Sequence, residues 1–172
     1  MADMGIDILR NNLTNPAKTY LWAVVFPKMI GGGDGNTLAT RCQSAGLPGR
    51  STNSIRIPFR GTPGFKVPGQ ASLSQVWNLE FLESTIDKKT FTALYNWQQI
   101  INNMRTGLGS PDPSVKADLY FQALDQAGAT WLTIKLIGGY VESMGDISVS
   151  YGTNSTMTFP STFSYDWWEM VS

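Results

Sequence analysis

Residues 54–83 read SIRIPFRGTPGFKVPGQASLSQVWNLEFLE. Ile55, Ile57 and Phe59 fall on alternate positions. A turn rich in glycine and proline follows at Gly61–Gly64, and Phe65 and Val67 resume the alternation. A second run puts Trp77, Leu79 and Phe81 on one face and Asn78 and Glu80 on the other. Period-two alternation bounded by Gly and Pro marks half-buried strands joined by turns. Pro58 and Pro68 have no N–H for a ladder, so the first two strands belong at a sheet edge. Residues 54–67 are therefore predicted to form a protruding β-hairpin with an open edge.

Strand patterns extend in both directions from this stretch. Upstream, YLWAVVFP (20–27) is apolar on both faces, which predicts a strand covered on both sides. KMIGGGDGN (28–36) reads as a flexible connection with a hairpin-type turn at Asp34-Gly35. A strand-like run, Thr37–Ala45, follows it. A phosphate-cradling loop would need a helix aimed at the anion and a Gly-Lys-Ser/Thr sequence, and neither is indicated here. Downstream, residues 86–104 are predicted to form the one convincing helix. Ser84 and Asp87 have capping-box spacing, and Phe91, Leu94, Trp97, Ile101 and Met104 recur every three or four residues, with Tyr95 widening the stripe.

Strands then return at 117–124 and 130–136. A bend at Gly138-Gly139 leads into 140–143, and a further strand is expected at 147–151. In the last run, STMTFPSTFSYDWWE (155–169), Met157, Phe159, Phe163, Tyr165 and Trp167 share a face. The sum is a mainly β fold: two packed antiparallel sheets, sandwich- or barrel-like, with one flanking helix. The 172 residues fit a single domain with a terminal arm at 1–16 and a core at 17–169.

Charge is balanced overall but not along the chain. Residues 1–70 hold eight Lys/Arg against three Asp, a net of +5, and residues 71–172 hold five against ten, a net of −5. One folded domain can mix these charges internally; the alternative reading is a basic arm that meets an acidic patch on another copy. Only 15% of residues are charged while 12% are aromatic, leaving surface suited to an assembly. Cys42 is the one cysteine, so no intrachain disulfide forms, and it reads as a small buried hydrophobe. No run of about 18 apolar residues is present, which predicts no membrane-spanning segment. The first residues lack the pattern of a signal peptide.

The chain contains no histidine. Triad chemistry and nearly all catalytic zinc sites are thereby excluded. Glu80, Glu83, Asp166 and Glu169 are the carboxylates available for paired acid–base work, and they read as ordinary polar positions. The expectation is no catalytic residue, no cofactor and no metal.

Several segments together resemble the tail tube protein of contractile-tailed, T-even-like bacteriophages. They are TYLWAVVFP (19–27), SAGLPG (44–49) leading into the hairpin, WNLEFLE (77–83), TFTALYNWQQIINN (90–103) and TFSYDWWE (162–169). The resemblance covers about residues 17–169 and rests on the order and spacing of these segments. The GGGDGN loop departs from the pattern. The resemblance implies a structural protein, not an enzyme, located in the virion tail. Its homohexameric rings would stack into a hollow tube inside the tail sheath. Baseplate and tail-terminator proteins would be further partners, and DNA a transient cargo read without sequence specificity. A secretion or injection-system tube protein, or a tube-terminating baseplate-hub relative, is the alternative. The residues expected at subunit interfaces are Ile55, Arg56, Ile57, Phe59, Arg60, Phe65, Lys66, Val67 and Trp168.

Overall fold

A computed structural model describes residues 16–147, 149–152 and 154–171. The arm expected at 1–16 lies almost wholly outside the described residues. Nine strands are present among them: β1 (Trp22–Val25), β2 (Cys42–Ala45), β3 (Arg50–Phe59), β4 (Thr62–Leu73), β5 (Val76–Leu82), β6 (Ala117–Leu124), β7 (Thr130–Met144), β8 (Thr158–Ser164) and β9 (Trp167–Val171). Three helices accompany them: α1 (Gly35–Arg41), α2 (Lys89–Ile101) and α3 (Asp112–Val115).

Six strands run in the order β1-β6-β7-β8-β5-β2, all antiparallel, and β9 adds to β7. The long β7 is the hinge of the architecture. Its first part, Thr133–Ile137, is flanked by β6 and β9, and its last part, Tyr140–Met144, pairs with β8. Gly138 lies between them at φ 69°, a backbone setting open to glycine at little cost, so one strand turns from the first sheet into the second. The two predicted runs and the bend between them are thus one continuous strand.

The sheets close over a shared core. Val24, Leu119, Phe121, Ile134 and Leu136 come from one side, and Trp77, Leu79, Phe81, Val141 and Phe163 from the other. Phe163 is the meeting point, with ring centroids of Phe26, Trp97, Trp77 and Phe81 between 5.9 and 6.4 Å away. Two indole N–H groups of the core find carbonyls: Trp97 donates to Val115 (2.8 Å) and Trp77 to Gly46 (2.5 Å). Burial of an aromatic ring therefore leaves no polar cost at either position.

Several expectations are corrected. YLWAVVFP supplies β1, but β1 lies at the end of the strand order and pairs only with β6. Its second face consists of Ala23 and Val25, small enough to stay half-buried without a neighbouring strand. Residues 37–41 are helix, not strand. Asp34 does not start a hairpin. It caps α1, its carboxylate accepting from the Asn36 N–H (3.1 Å) and the Thr37 hydroxyl (2.8 Å).

α2 starts at Lys89, later than predicted, and neither Ser84 nor Asp87 forms a capping box. Glu83 reaches the helix instead and accepts from the Phe91 N–H (2.6 Å). The buried face is Thr90, Ala93, Leu94 and Trp97. Phe91 and Tyr95 lie at its outer margin, stacked on each other at 6.0 Å, and Met104 lies beyond the helix in solvent. No strand forms among the described residues of 147–151. The final run divides into β8 and β9 at Asp166, whose N–H donates to Ile137 (2.9 Å). That bend resets the alternation: Trp168 packs against the core and Trp167 points outward, the reverse of the predicted phase. Met157, expected inward, is exposed.

Candidate assembly interface

β3 and β4 form a two-stranded sheet bonded to no other strand among those described. The hairpin is longer than the predicted 54–67, running from Arg50 to Leu73. At about 3.3 Å per residue, it reaches roughly 30 Å from the body. Its turn is two residues, Arg60 (φ 30°) and Gly61 (φ 72°), both in the left-handed region that matches strand twist in tight hairpins. β4 is two residues longer than β3, and both extra residues are taken up as bulges, opposite Thr52–Ser54 and Ile57–Phe59. Gly64 lies at the second bulge with φ 70°, and a Cβ there would run into the Ile57 carbonyl.

The register sorts the side chains by chemistry. Ile55 stands opposite Val67 and Ile57 opposite Phe65, so these four make an apolar face. Arg56 stands directly opposite Lys66 on the other face. Arg60 holds its guanidinium 5.9 Å from the Phe59 ring at the tip, and Arg56 Nε donates to the Pro63 carbonyl (2.6 Å). Every residue of β3 is exposed; Phe59 is 62% and Phe65 57% accessible. An isolated two-stranded hairpin is marginal in water, and unpaired strand edges template further pairing. The hairpin therefore carries apolar surface and open backbone that the described residues of its own chain do not cover.

The structure gathers eight of the nine interface candidates on this hairpin. Trp168 is not among them. It sits on β9, half-buried, with its indole N–H lacking an acceptor among the described residues. The sequence reading missed the exposed aromatic pair Phe91 and Tyr95, because a helical stripe reads as core until the sheet it meets is known.

The hairpin's root is firmly held. The Gly46 N–H donates to Asn78 and the Tyr165 N–H to Gln75, and the Tyr165 hydroxyl donates to the Ser74 carbonyl. Beside the root, Arg41 ties α1 to α2, with Nη1 2.9 Å from Glu83 Oε1 and Nη2 2.7 Å from Asp87 Oδ2. The Arg41 hydrogen bond is the main reason the Asp87 carboxyl is held below the usual carboxylate range. Burial pushes the Cys42 thiol up to about 12.

The carboxylates considered for catalysis are placed apart from one another in function. Glu83 serves Arg41 and the start of α2. Asp166 bonds Lys116 (3.0 Å), and Glu169 stands opposite Lys135 in the ladder. Glu80 lies half-buried on β5. Among the described residues, no three His, Cys, Asp or Glu side chains gather as a metal site, and no helix is long and apolar enough to cross a membrane.

No protein-family model matches the sequence, and no curated protein matches it. Solved structures do share the fold. A chain from the PVC sheath/tube terminator of an extracellular contractile injection system, in the extended state, superposes with a TM-score of 0.65 at 21% identity. The match covers 91% of this chain and 97% of that one. The tube-terminating cap of the anti-feeding prophage gives 0.61 at 21% identity, with 91% of each chain covered. A chain of the PVC sheath–tube complex gives 0.61 at 19%, covering 91% of this chain and 92% of that one. At these identities the likeness is one of fold.

Proposed function

We propose that the chain is a structural subunit of a contractile tail or injection apparatus, a tube protein that assembles with copies of itself and has no catalytic role. The observation that carries this reading is the β3–β4 hairpin. A body with a closed aromatic core projects a long two-stranded arm that is apolar on one face, basic on the other and open at both edges. An arm of that kind is completed by a neighbour, and a head-to-tail contact between unlike surfaces closes into a ring. The fold shared with tube-terminator and sheath–tube chains supports the same reading.

In its finer form, six copies make a ring and rings stack into the inner tube of a contractile phage tail, within the sheath and between baseplate and terminator. DNA passes along the channel. Zero formal net charge suits a conduit, since each phosphate contact would add salt-dependent affinity to a cargo that must move. The likeness to a terminator and a cap favours a second reading, in which the chain ends the tube of an injection system. The two differ in product: a tube protein polymerises into rods, whereas a terminator stops at single rings.

Phe59→Asp tests the assembly claim. A charge placed on an apolar interface anchor costs roughly 2 kcal/mol or more, about thirtyfold in association. Light scattering should show large particles for the native chain. The variant should shift to monomer at equal concentration while its circular dichroism stays that of the folded native chain. Assembly undiminished in the variant would contradict the role given to the hairpin.

A further inference from the structure

Granted that the chain assembles with itself, the seat of the hairpin can be assigned from charge and from strand edges. We propose that the hairpin docks along the free edge of β9 on a second copy, Lys66 and Arg56 meeting Glu169 and Asp166 of that copy.

The hairpin's charge is one-sided. Residues 46–73 contain Arg50, Arg56, Arg60 and Lys66 and no carboxylate. Arg56 and Lys66 face each other across the ladder, an arrangement that costs stability unless outside carboxylates offset it. The described residues of their own chain do not supply those carboxylates. No ion pair of the described residues involves Arg56, Arg60 or Lys66. The Arg56–Lys66 pair also lies about 20 Å out from the root along the strands.

Among the described residues, three strands of the body pair on one side only: β1, β2 and β9. β1 has no charged residue and lies between Lys18 and Lys28. β2 likewise has none and lies between Arg41 and Arg50. β1 would repel the arm; β2, whose neighbour Arg41 is already bonded to Glu83 and Asp87, carries no carboxylate of its own to hold it. β9 carries Glu169 and follows Asp166, in a stretch where residues 107–172 hold seven carboxylates against Lys116 and Lys135. Lys116 is shared between Asp112 and Asp166, and Lys135 bonds Asp118 and faces Glu169. Four carboxylates around two ammonium groups leave this flank negative. Like-charge contact excludes wrong seats and opposite charge fixes register, so electrostatics select β9.

The remaining chemistry of β9 fits the same occupant. Glu169 shares one face of β9 with Trp167 and Val171, while Met170 on the opposite face is 70% exposed, so the basic face of the arm meets Glu169 as its apolar face, with Ile55, Ile57 and Phe65, meets Met170. Strand-to-edge pairing would satisfy backbone groups that both edges leave open.

The first test uses the native chain. Assembled protein mixed from isotopically light and heavy copies is treated with a carbodiimide, which joins a lysine to a carboxylate in direct contact, and the peptides are read by mass spectrometry. The expected product is a light–heavy link from Lys66 to Glu169 or Asp166. The second test is a charge exchange read by sedimentation. Lys66→Glu alone and Glu169→Lys alone should each lower the pelleted fraction about tenfold, and the double variant should recover most of it. Links from Lys66 only to other carboxylates, or no recovery in the double variant, would overturn the β9 seat while leaving the tube reading intact. A native chain that stays monomeric would overturn both.

Discussion

At the residue scale, Arg41 holds together parts that the sequence keeps far apart. Its guanidinium joins the end of α1 to Glu83 and Asp87 at the approach to α2, across more than forty positions of chain. The Glu83 side chain is only 9% exposed, and it also accepts the Phe91 N–H that starts the helix. Arg41→Ala would leave that carboxylate without its cation. The expected cost is about 2 kcal/mol, seen as a lowered denaturation midpoint in urea. Asp87 adds a pH dependence. Its folded pKa is depressed, so its contribution is complete above the unfolded value, near about 4, and is lost as pH falls through the folded one. The native chain should lose stability in acid over that window, and Arg41→Ala should lose less. Nothing in the local sequence marked this pairing, because Glu83 and Asp87 sit beside a helix start and read there as dipole or capping residues. The decision lay in where α1 delivers Arg41.

At the scale of elements, the hairpin was legible from its alternation, its prolines and its turn glycines. Its length was not. β4 continues through Pro68 to Leu73, because bulges absorb the two extra residues and let the ladder pass the prolines. β6 was legible to the residue, from clean alternation between a loop and a turn. α1 was not, because DGNTLATR carries a capping aspartate beside glycines that also signal turns. β9 was merged with β8 because the bend at Asp166 has no glycine or proline to announce it. Gly64 provides the test at this scale. Gly64→Ala places a Cβ against the Ile57 carbonyl at a positive φ, a strain of roughly 1–2 kcal/mol confined to the arm. Because the arm lies outside the core, the melting temperature of dilute, unassembled protein should hold within a few degrees while assembly at high concentration declines. A large fall in melting temperature would show that the arm belongs to the folding unit of the body.

At the scale of the whole molecule, alternation and the single long helix were enough to give a mainly β fold of two packed sheets. What they could not give was the strand order. Closure of the two sheets depends on β7 turning at Gly138 and on Phe163 meeting rings from both sides, contacts that local pattern does not encode. The same is true of the hairpin's isolation. Alternating strands announce an edge, but only the assembled fold reveals that the edge has no partner among the described residues of its own chain. The central claim is that the exposed border is satisfied by identical neighbours around a hollow axis. Negative-stain electron microscopy of the purified native chain tests it most directly. The account predicts rings with an open centre, stacked into rods or standing singly, and dispersed particles for Phe59→Asp. A field of small single molecules from the native chain at high concentration would contradict it.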